Sequence, residues 1–462
     1  MPLVLGIPPS VVKLVQEGLL ERAFHDGLFP ALQYRQEALV EEWPANTGNE
    51  LFMSRPGLLA PVTKPIQPGV DPSPQAVNYE QWTAVLNRFS GTIDTHMPTS
   101  ATASSNLFLR NIHQLGLQAG QSLNRIPRNS LFKAYLSGQT LTIAAGVAGD
   151  TTIRVAALNG FTTVVIPSST VRPVPVSPAT PLTVTISGVT GTRNVIGFTP
   201  DNPDDADGPG TLQLSAALGG AGVANRAPVI SSAAPLVIRS GGGISVDALN
   251  AGDVFTLQDA INAVNKLRRN NVPPHEDGYY HAHISPDGNA QVFTDPAFQR
   301  LNTALPDHHI YHEGFIGTIA GIMFFMNTES PDRNNCGTLI STGTNALYAE
   351  DIGAEVVNNA GVNVGRILIT GRGALYEKWL AGSNFVSEAG ITGKMGEFDI
   401  VNAGINVQTE RIDLILRAPL NRLQDTVAAT WQISTSFPVP SDVTSGTGPE
   451  RFKRAVVIEH AL

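Results

Sequence analysis

The sequence predicts an α+β protein with an all-β domain inserted into it. Three observations lead there: one long helical period from Ser100 to Gly138, a block of short β-branched runs directly after it, and long alternating strands near the C-terminus. In the helical stretch, Phe108, Ile112, Leu115, Ala119, Leu123 and Ile126 recur at steps of three and four, the spacing of one helix face. Ser104, Ser105 and Asn106 offer caps for its start. Pro127 removes a backbone donor and crowds the preceding turn, which predicts a kink or short break. Leu131, Phe132, Tyr135 and Leu136 carry the pattern on, and Gly138 is a natural stop.

The block from Gly138 to Gly243 contains no Lys, Glu, Trp, Tyr, His or Cys. Its short runs are Thr140–Ile143, Thr152–Val155, Thr163–Ile166, Leu182–Ser187, Asn194–Thr199, Thr211–Ser215 and Leu236–Arg239, separated by turn residues. Regularly spaced β-branched runs of this kind predict a sandwich or barrel. At the end, Ile412, Leu414 and Leu416 alternate with charged residues, and Val427, Ala429, Trp431 and Ile433 form a second row. Pro419 to Asp425 connects the two rows as a hairpin with a long loop. Val456–Ile458 predicts a last docking strand.

The remaining pieces are of three kinds. Residues 1–50 read as an arm: Val11, Val12, Leu14, Val15, Leu19 and Leu20 predict a short amphipathic helix, and Ala38–Trp43 another. Their apolar side chains must dock on the main body or on another subunit. Residues 51–98 read as an extended excursion, because six prolines lie between Pro56 and Pro74 and proline cannot donate to a sheet ladder. Tyr79, Trp82, Val85, Leu86 and Phe89 then predict a helix or strand returning to the body. From Ser245 onward α/β character returns. Thr256 caps a helix carrying Leu257, Ile261, Val264 and Leu267, which Pro273-Pro274 ends. Tyr279–Ile284 reads as a strand with Ser285-Pro286-Asp287-Gly288 as its turn. Asp295-Pro296 starts a helix with Phe298 and Leu301 inward, Gly317–Met326 reads as a strand buried on both sides, and Arg366–Thr370 as a further strand.

Composition excludes several functions. Across 462 residues the net charge is −9 and charged residues make up only 15%, which argues against a nucleic-acid binder held by a basic patch. The single cysteine, Cys336, forbids an internal disulfide and suits a reducing compartment. No secretory signal is expected, and the apolar run Ile316–Met326 is about half the length of a membrane span. His281 and His283 alternate on one strand face, and His308, His309 and His312 follow, with Glu276 or Glu313 as nominal bases for a zinc site. Against this, His308 and His312 lie between Pro306 and Gly314, where no helix aligns them. Asp201, Asp204, Asp205 and Asp207 precede Gly208, but Pro203 and Leu214 occupy the first and last ligand positions of a calcium loop, so a solvated turn is the better reading. The phosphate-loop, dinucleotide and nucleophile-elbow motifs are absent. Cys336 reads as a small loop residue. No catalytic, cofactor-binding or metal-binding residue is assigned, and no cofactor is expected.

The order of parts resembles the major capsid proteins of tailed double-stranded DNA bacteriophages, with the Hong Kong 97-type fold. Four local stretches carry the resemblance: Asn78-Tyr79-Glu80-Gln81-Trp82; the run from Gly278 through Tyr279, His281 and His283 to Pro286; Glu313-Gly314-Phe315-Ile316-Gly317 leading to Ile322; and Gln408 to Trp431. On that resemblance, 1–50 is the N-terminal arm, 51–98 the E-loop and 99–137 the spine helix of the P-domain. Residues 138–243 are then an all-β insertion domain, 244–397 the A-domain, 398–440 the returning P-domain strands and 441–462 a tail. It implies a non-enzymatic shell subunit in the virion, assembled in the host cytoplasm as hexamers and pentamers of one chain. Scaffolding, portal and cement proteins are the implied partners, and double-stranded DNA is enclosed without specific recognition or any membrane. Lys64 lies in the presumed E-loop, but no cross-link is assigned. Two rivals are an encapsulin-type compartment with enzyme cargo and a metalloenzyme using the histidines. An adhesin-like glycan binder is disfavoured because the β block lacks Trp and Tyr.

Overall fold

The computed structural model describes residues 19–28, 33–44, 47–56, 59, 61–67, 69, 71–72, 74–75, 79–102, 107–165, 170–171, 173–303, 317–332, 336, 352, 354–380, 394–395, 398–401, 404–409, 411–417, 423, 425–440 and 453–462. Helices and several separate sheets make it α+β. It divides into two compact units, Met1–Leu51 with Thr83–Arg128 and Leu375–Pro438, and Phe52–Trp82 with Asn129–Ala374 and Val439–Leu462.

The first unit packs the long helix on a sheet. The helix runs Leu107–Tyr135, and its face Phe108, Ile112, Leu115, Ala119 and Leu123 is buried against Ile412, Leu414, Leu416, Val427, Ala429, Trp431 and Ile433. Those apolar rows come from Ile412–Arg417 and Thr426–Ser436, paired antiparallel with Leu414 opposite Trp431. Asn87–His96 pairs with Thr426–Ser436 along its length, from Asn87 opposite Thr435 to His96 opposite Thr426. Of the kink or short break expected at Pro127, the break is absent: the helix is continuous through it. A proline inside a helix costs about 3 kcal/mol, through the lost hydrogen bond and the clash of its ring with the preceding turn. That is offset by burial on both sides of the proline, of Leu115 to Leu123 before it and of Leu131, Phe132 and Tyr135 after it.

The arm docks on its own unit. Helix Leu19–Leu28 buries Phe24 and Leu28 in the core just described. It crosses the long helix backbone to backbone. A Cβ at Gly27 would lie 2.5 Å from the His113 carbonyl oxygen, and one at Gly116 no farther from that of Phe24. Of the two docking options left by the sequence, residues 19–28 and 33–44 therefore take the main body, and burial on neighbouring copies is not required for them. Val11 to Val15 lie outside the described residues. The second expected arm helix is a strand: Ala38–Glu42 pairs in parallel with Leu375–Trp379, Ala38 opposite Leu375. Ala, Leu and Glu favour helix locally, but the backbone hydrogen bonds offered by Leu375–Trp379 outweigh that preference. Arg35 and Glu377 lock the junction, with the Arg35 guanidinium 2.6 Å from a Glu377 oxygen and both side chains buried.

The second unit contains the inserted domain, a closed six-stranded barrel. The strands are ordered Gln139–Leu141, Pro228–Ser231, Leu182–Ile186, Thr192–Pro200, Gly210–Leu214 and Thr152–Val155. Thr142 bridges Val155, the Ala156 N–H donates to Leu141 (2.9 Å), and the first strand thereby meets the last. Ile153, Val155, Phe161, Leu182, Val184, Ile186, Val195, Leu212 and Val229 fill it. Two details differ from the sequence reading. Pro228–Ser231, too short a β-branched run to stand out, is a barrel strand. Val237–Arg239, adjacent in sequence, leaves the barrel and pairs in parallel with the C-terminal strand, Val237 opposite Val457.

That C-terminal strand, Ala455–Ala461, belongs to a second six-stranded sheet ordered Val237–Arg239, Ala455–Ala461, Val364–Thr370, Tyr280–Ile284, Ile322–Met326 and Thr318–Ile319. Helix Leu257–Arg269 lies on it, capped by Thr256 as expected, and Asp259 completes a reciprocal capping box. The predicted turn at Ser285-Pro286-Asp287-Gly288 is instead a helix start, Pro286–Thr294. The Ser285 hydroxyl accepts from the Gly288 N–H (3.0 Å), since Ser-Pro-Asp suits an N-cap and first turn as well as it suits a loop. The predicted single strand Gly317–Met326 is two short strands reversing at Ala320 and Gly321, both with positive φ. Met326 is half exposed, because the pair forms the sheet edge rather than its buried middle.

Candidate assembly surface

The excursion forms a flap. Its legs are Glu50–Pro56 and Tyr79–Val85, two strands of a three-stranded sheet, and the Leu86 N–H closes their base on the Asn49 carbonyl (2.9 Å). Strand alternation decides which side chains point inward: Met53, Glu80, Trp82 and Ala84 are buried while Tyr79 and Val85 are exposed. Arg55 is ion-paired with the buried Glu80, and its guanidinium lies 5.9 Å from the Trp82 ring centroid. A charged pair whose carboxylate is shielded from water and whose cation is stacked on an indole fixes the two legs to each other.

On either side of that lock the flap presents apolar groups to water. Phe52 is 65% exposed, Leu59 53%, Val62 74% and Ile66 56%. Between Pro56 and Asn78 only Lys64 and Asp71 carry charge. Single exposed apolar residues are ordinary, but four so close in sequence are the kind of grouping found at interaction surfaces.

His281 and His283 do share a face, both against Phe325, with ring centroids 4.9 and 5.7 Å away. The His281 ring stacks on His275 at 3.9 Å and its Nε2 lies 2.9 Å from Asp277. Burial alone would raise the Asp277 carboxyl, but the Tyr279 N–H and His281 hold it below the usual range. Glu276 pairs with Arg372 at the surface, and His308, His309, His312 and Glu313 lie outside the described residues. The aspartate loop is the solvated turn expected, with Asp201 ion-paired to Arg154 and Asp207 3.9 Å from Lys133. Cys336 is a buried loop residue whose N–H donates to Asp332 (3.0 Å).

Two charged groupings escaped the sequence because their members are far apart in the chain. The Arg226 guanidinium reaches both Asp247 (2.6 Å), in the short turn Val246–Ala248, and Glu355 (2.5 Å), in the segment that precedes strand Val364–Thr370. Burial would raise the Asp247 carboxyl, yet the hydrogen bond from Arg226 keeps it low. In Glu355, more deeply placed, burial wins and the carboxyl is raised. On the sheet, Glu459 is flanked in register by Arg366 and Arg239 at 2.8 Å each.

The next residue, His460, faces the helix side of the sheet and is fully buried, near Phe255 and opposite Gly365. Burial lowers its imidazole from the ordinary 6.5 to about 4, opposed by the Ala461 carbonyl and reinforced by Arg366. Between those values the unfolded chain binds the proton and the folded one does not, so stability falls as pH drops from 6.5 to 4. Relative to His460→Leu, the native chain should lose about 3 kcal/mol between pH 7 and pH 4. Hydrogen exchange of the Val456–Ile458 amides in both proteins measures it, and equal pH slopes would exclude a neutral buried imidazole.

Solved structures that resemble the chain are shells of bacteriophages. The capsid of cyanophage Pam1 aligns at 9% identity over 95% of this chain and 92% of its own, with a TM-score of 0.46. The capsid of cyanophage P-SCSP1u does so at 11% identity over 93% and 88%, TM-score 0.45. That of Ralstonia phage GP4 does so at 12% identity over 92% and 87%, TM-score 0.44. No protein-family model matches the sequence, and no curated protein matches it.

Proposed function

We propose that the chain is a structural shell subunit, the major capsid protein of a tailed bacteriophage. It assembles from many copies of itself into hexamers and pentamers of a closed capsid. The observation that carries this reading is the flap: an apolar, proline-stiffened segment locked at its base and, among the described residues, left uncovered by its own chain. Burying such surfaces repeatedly around closed symmetry is how weak contacts sum to a stable assembly. The long helix on its antiparallel strands serves as the P-domain spine, the α/β sheet as the A-domain and the barrel as an insertion. The net charge of −9 supports a wall that encloses double-stranded DNA without gripping it. Assembly in the host cytoplasm, and service by separate scaffolding, portal and cement proteins, belong to the same reading. The comparisons give the metalloenzyme alternative no support.

Sedimentation and negative-stain microscopy of the purified chain test this. The native protein should form capsomers or shells. Val62→Asp with Ile66→Asp should raise the critical concentration for assembly on the order of 100-fold, as expected from charging two desolvated apolar groups. The circular dichroism and melting temperature of the subunit should stay unchanged. Assembly by the double variant at native concentrations would remove the flap from the interface. Packaged DNA in particles from infected cells supports a virion, and a protein cargo without nucleic acid supports a compartment.

A further inference from the structure

We propose that the inserted barrel carries a strut that holds the flap at a set angle, so that the flap is ordered before a neighbouring copy arrives. The purpose of that ordering rests on the shell reading; the strut itself does not. Between two short paired strands beside the barrel, Thr163–Val165 and Pro173–Pro175, the chain sends out Thr170–Val171. That pair runs parallel to the flap, Thr170 opposite Tyr79 and Val171 opposite Glu80, and becomes the third strand of the flap's sheet.

The position of this contact is what gives it a role. It falls on Glu80, the residue that holds Arg55, and two residues before Trp82, on which Arg55 stacks. The strut therefore meets the flap where its two legs are tied together. A two-stranded ribbon is marginal by itself, and a third strand is what makes such a sheet persist. The flap's prolines fix φ at intervals toward the tip, so a base held in one direction holds the tip as well. The partition of the molecule agrees: Phe52–Trp82 lies in the same compact unit as the barrel, whereas Glu50, Leu51 and Thr83–Val85, the other ends of the same two strands, do not. An interface segment ordered in advance loses less conformational freedom on docking, which strengthens association without adding a contact.

The test uses the full chain with its buried single cysteine removed, Cys336→Ala, and spin labels on Val62→Cys in the flap and Val147→Cys in the barrel, both exposed. Labelled protein is diluted with unlabelled protein so that pulsed electron-resonance distances are intramolecular. One narrow distance distribution is expected. Thr170→Pro with Val171→Pro, which removes two strand donors, should broaden it about twofold or more, as a freed ribbon samples many directions. Thr170→Gly with Val171→Gly keeps every donor and should give an intermediate width, which guards against a barrel disturbed by proline. Unchanged widths in both variants would overturn the strut. If the distribution broadens but the native chain never assembles, the strut stands and the shell reading fails. If the native chain assembles and neither variant broadens, the reverse holds.

Discussion

Gly116→Val should destabilise the first unit by about 3 kcal/mol or more, although the substitution removes a glycine from the middle of a helix. Helix propensity alone predicts the opposite sign, a gain of some tenths of a kcal/mol. The structure decides the matter because Gly116 faces the backbone of helix Leu19–Leu28, where a Cβ would press on the Phe24 carbonyl closer than the 3.0 Å that real Cβ atoms respect. Backbone has no rotamer with which to yield, so the two helices must separate. Separation opens the burial of Phe24 and Leu28, both fully enclosed against the long helix and its sheet. Gly27→Ala meets the His113 carbonyl from the other side and should behave alike, with a smaller effect. Gly149→Ala, with nothing within 4 Å of its added carbon, should lie within about 0.5 kcal/mol of the native protein. Tryptophan fluorescence during urea unfolding is a suitable probe, since Trp43, Trp379 and Trp431 belong to this unit. A Gly116→Val protein as stable as the native one would mean that the arm helix does not dock here in solution.

That crossing also marks the boundary of what the sequence reveals. Periodicity exposes every side chain of the helix face that meets the sheet, from Phe108 to Leu123, and the alternating rows that receive them, because burial repeats with the period of the element. It is silent about Gly27 and Gly116, since a glycine needed for close approach leaves no hydrophobic signature. Local chemistry is likewise ambiguous where two structures want the same residues. Ser285-Pro286-Asp287 suits both a turn and a helix start, and only the packing of the residues after it selects the helix. Ala38–Glu42 is a strand only because Leu375–Trp379 offers it an edge. The flap is legible because proline excludes a packed core by itself. Its lock is not, because Arg55 and Glu80 become partners only once the legs are paired. The strut is hidden for the same reason, at a longer range.

The charged row on the second sheet is the extreme case of such hidden pairing, and its removal should have the largest effect in the second unit. Register alone aligns Arg239, Glu459 and Arg366 side by side across three strands, with Glu459 and Arg366 essentially inaccessible to water. Burial would raise the Glu459 carboxyl, but Arg239 and Arg366 hold it below the usual range, so it is charged in the folded chain. Its contribution is present above the unfolded carboxylate's pKa and is lost as pH falls through the lower folded value. Glu459→Ala removes the one anion between two cations. Arg239 keeps Gln139 and the Ile244 carbonyl, whereas Arg366 keeps, among the described residues, the Glu355 carbonyl and the more distant Glu355 carboxyl and stays buried without its ion-pair partner. Losing one partner of a buried pair costs about 3–5 kcal/mol, so the calorimetric transition of this unit should drop by about 10 °C. Arg366→Met combined with Glu459→Leu replaces the buried charges with apolar groups of similar reach and leaves Arg239, which lies at the sheet edge, its two other acceptors. The double variant should therefore melt well above Glu459→Ala, even though it changes more atoms. If the two melt together, the cost lies in packing around position 459, and the ionic row has no separate energetic role.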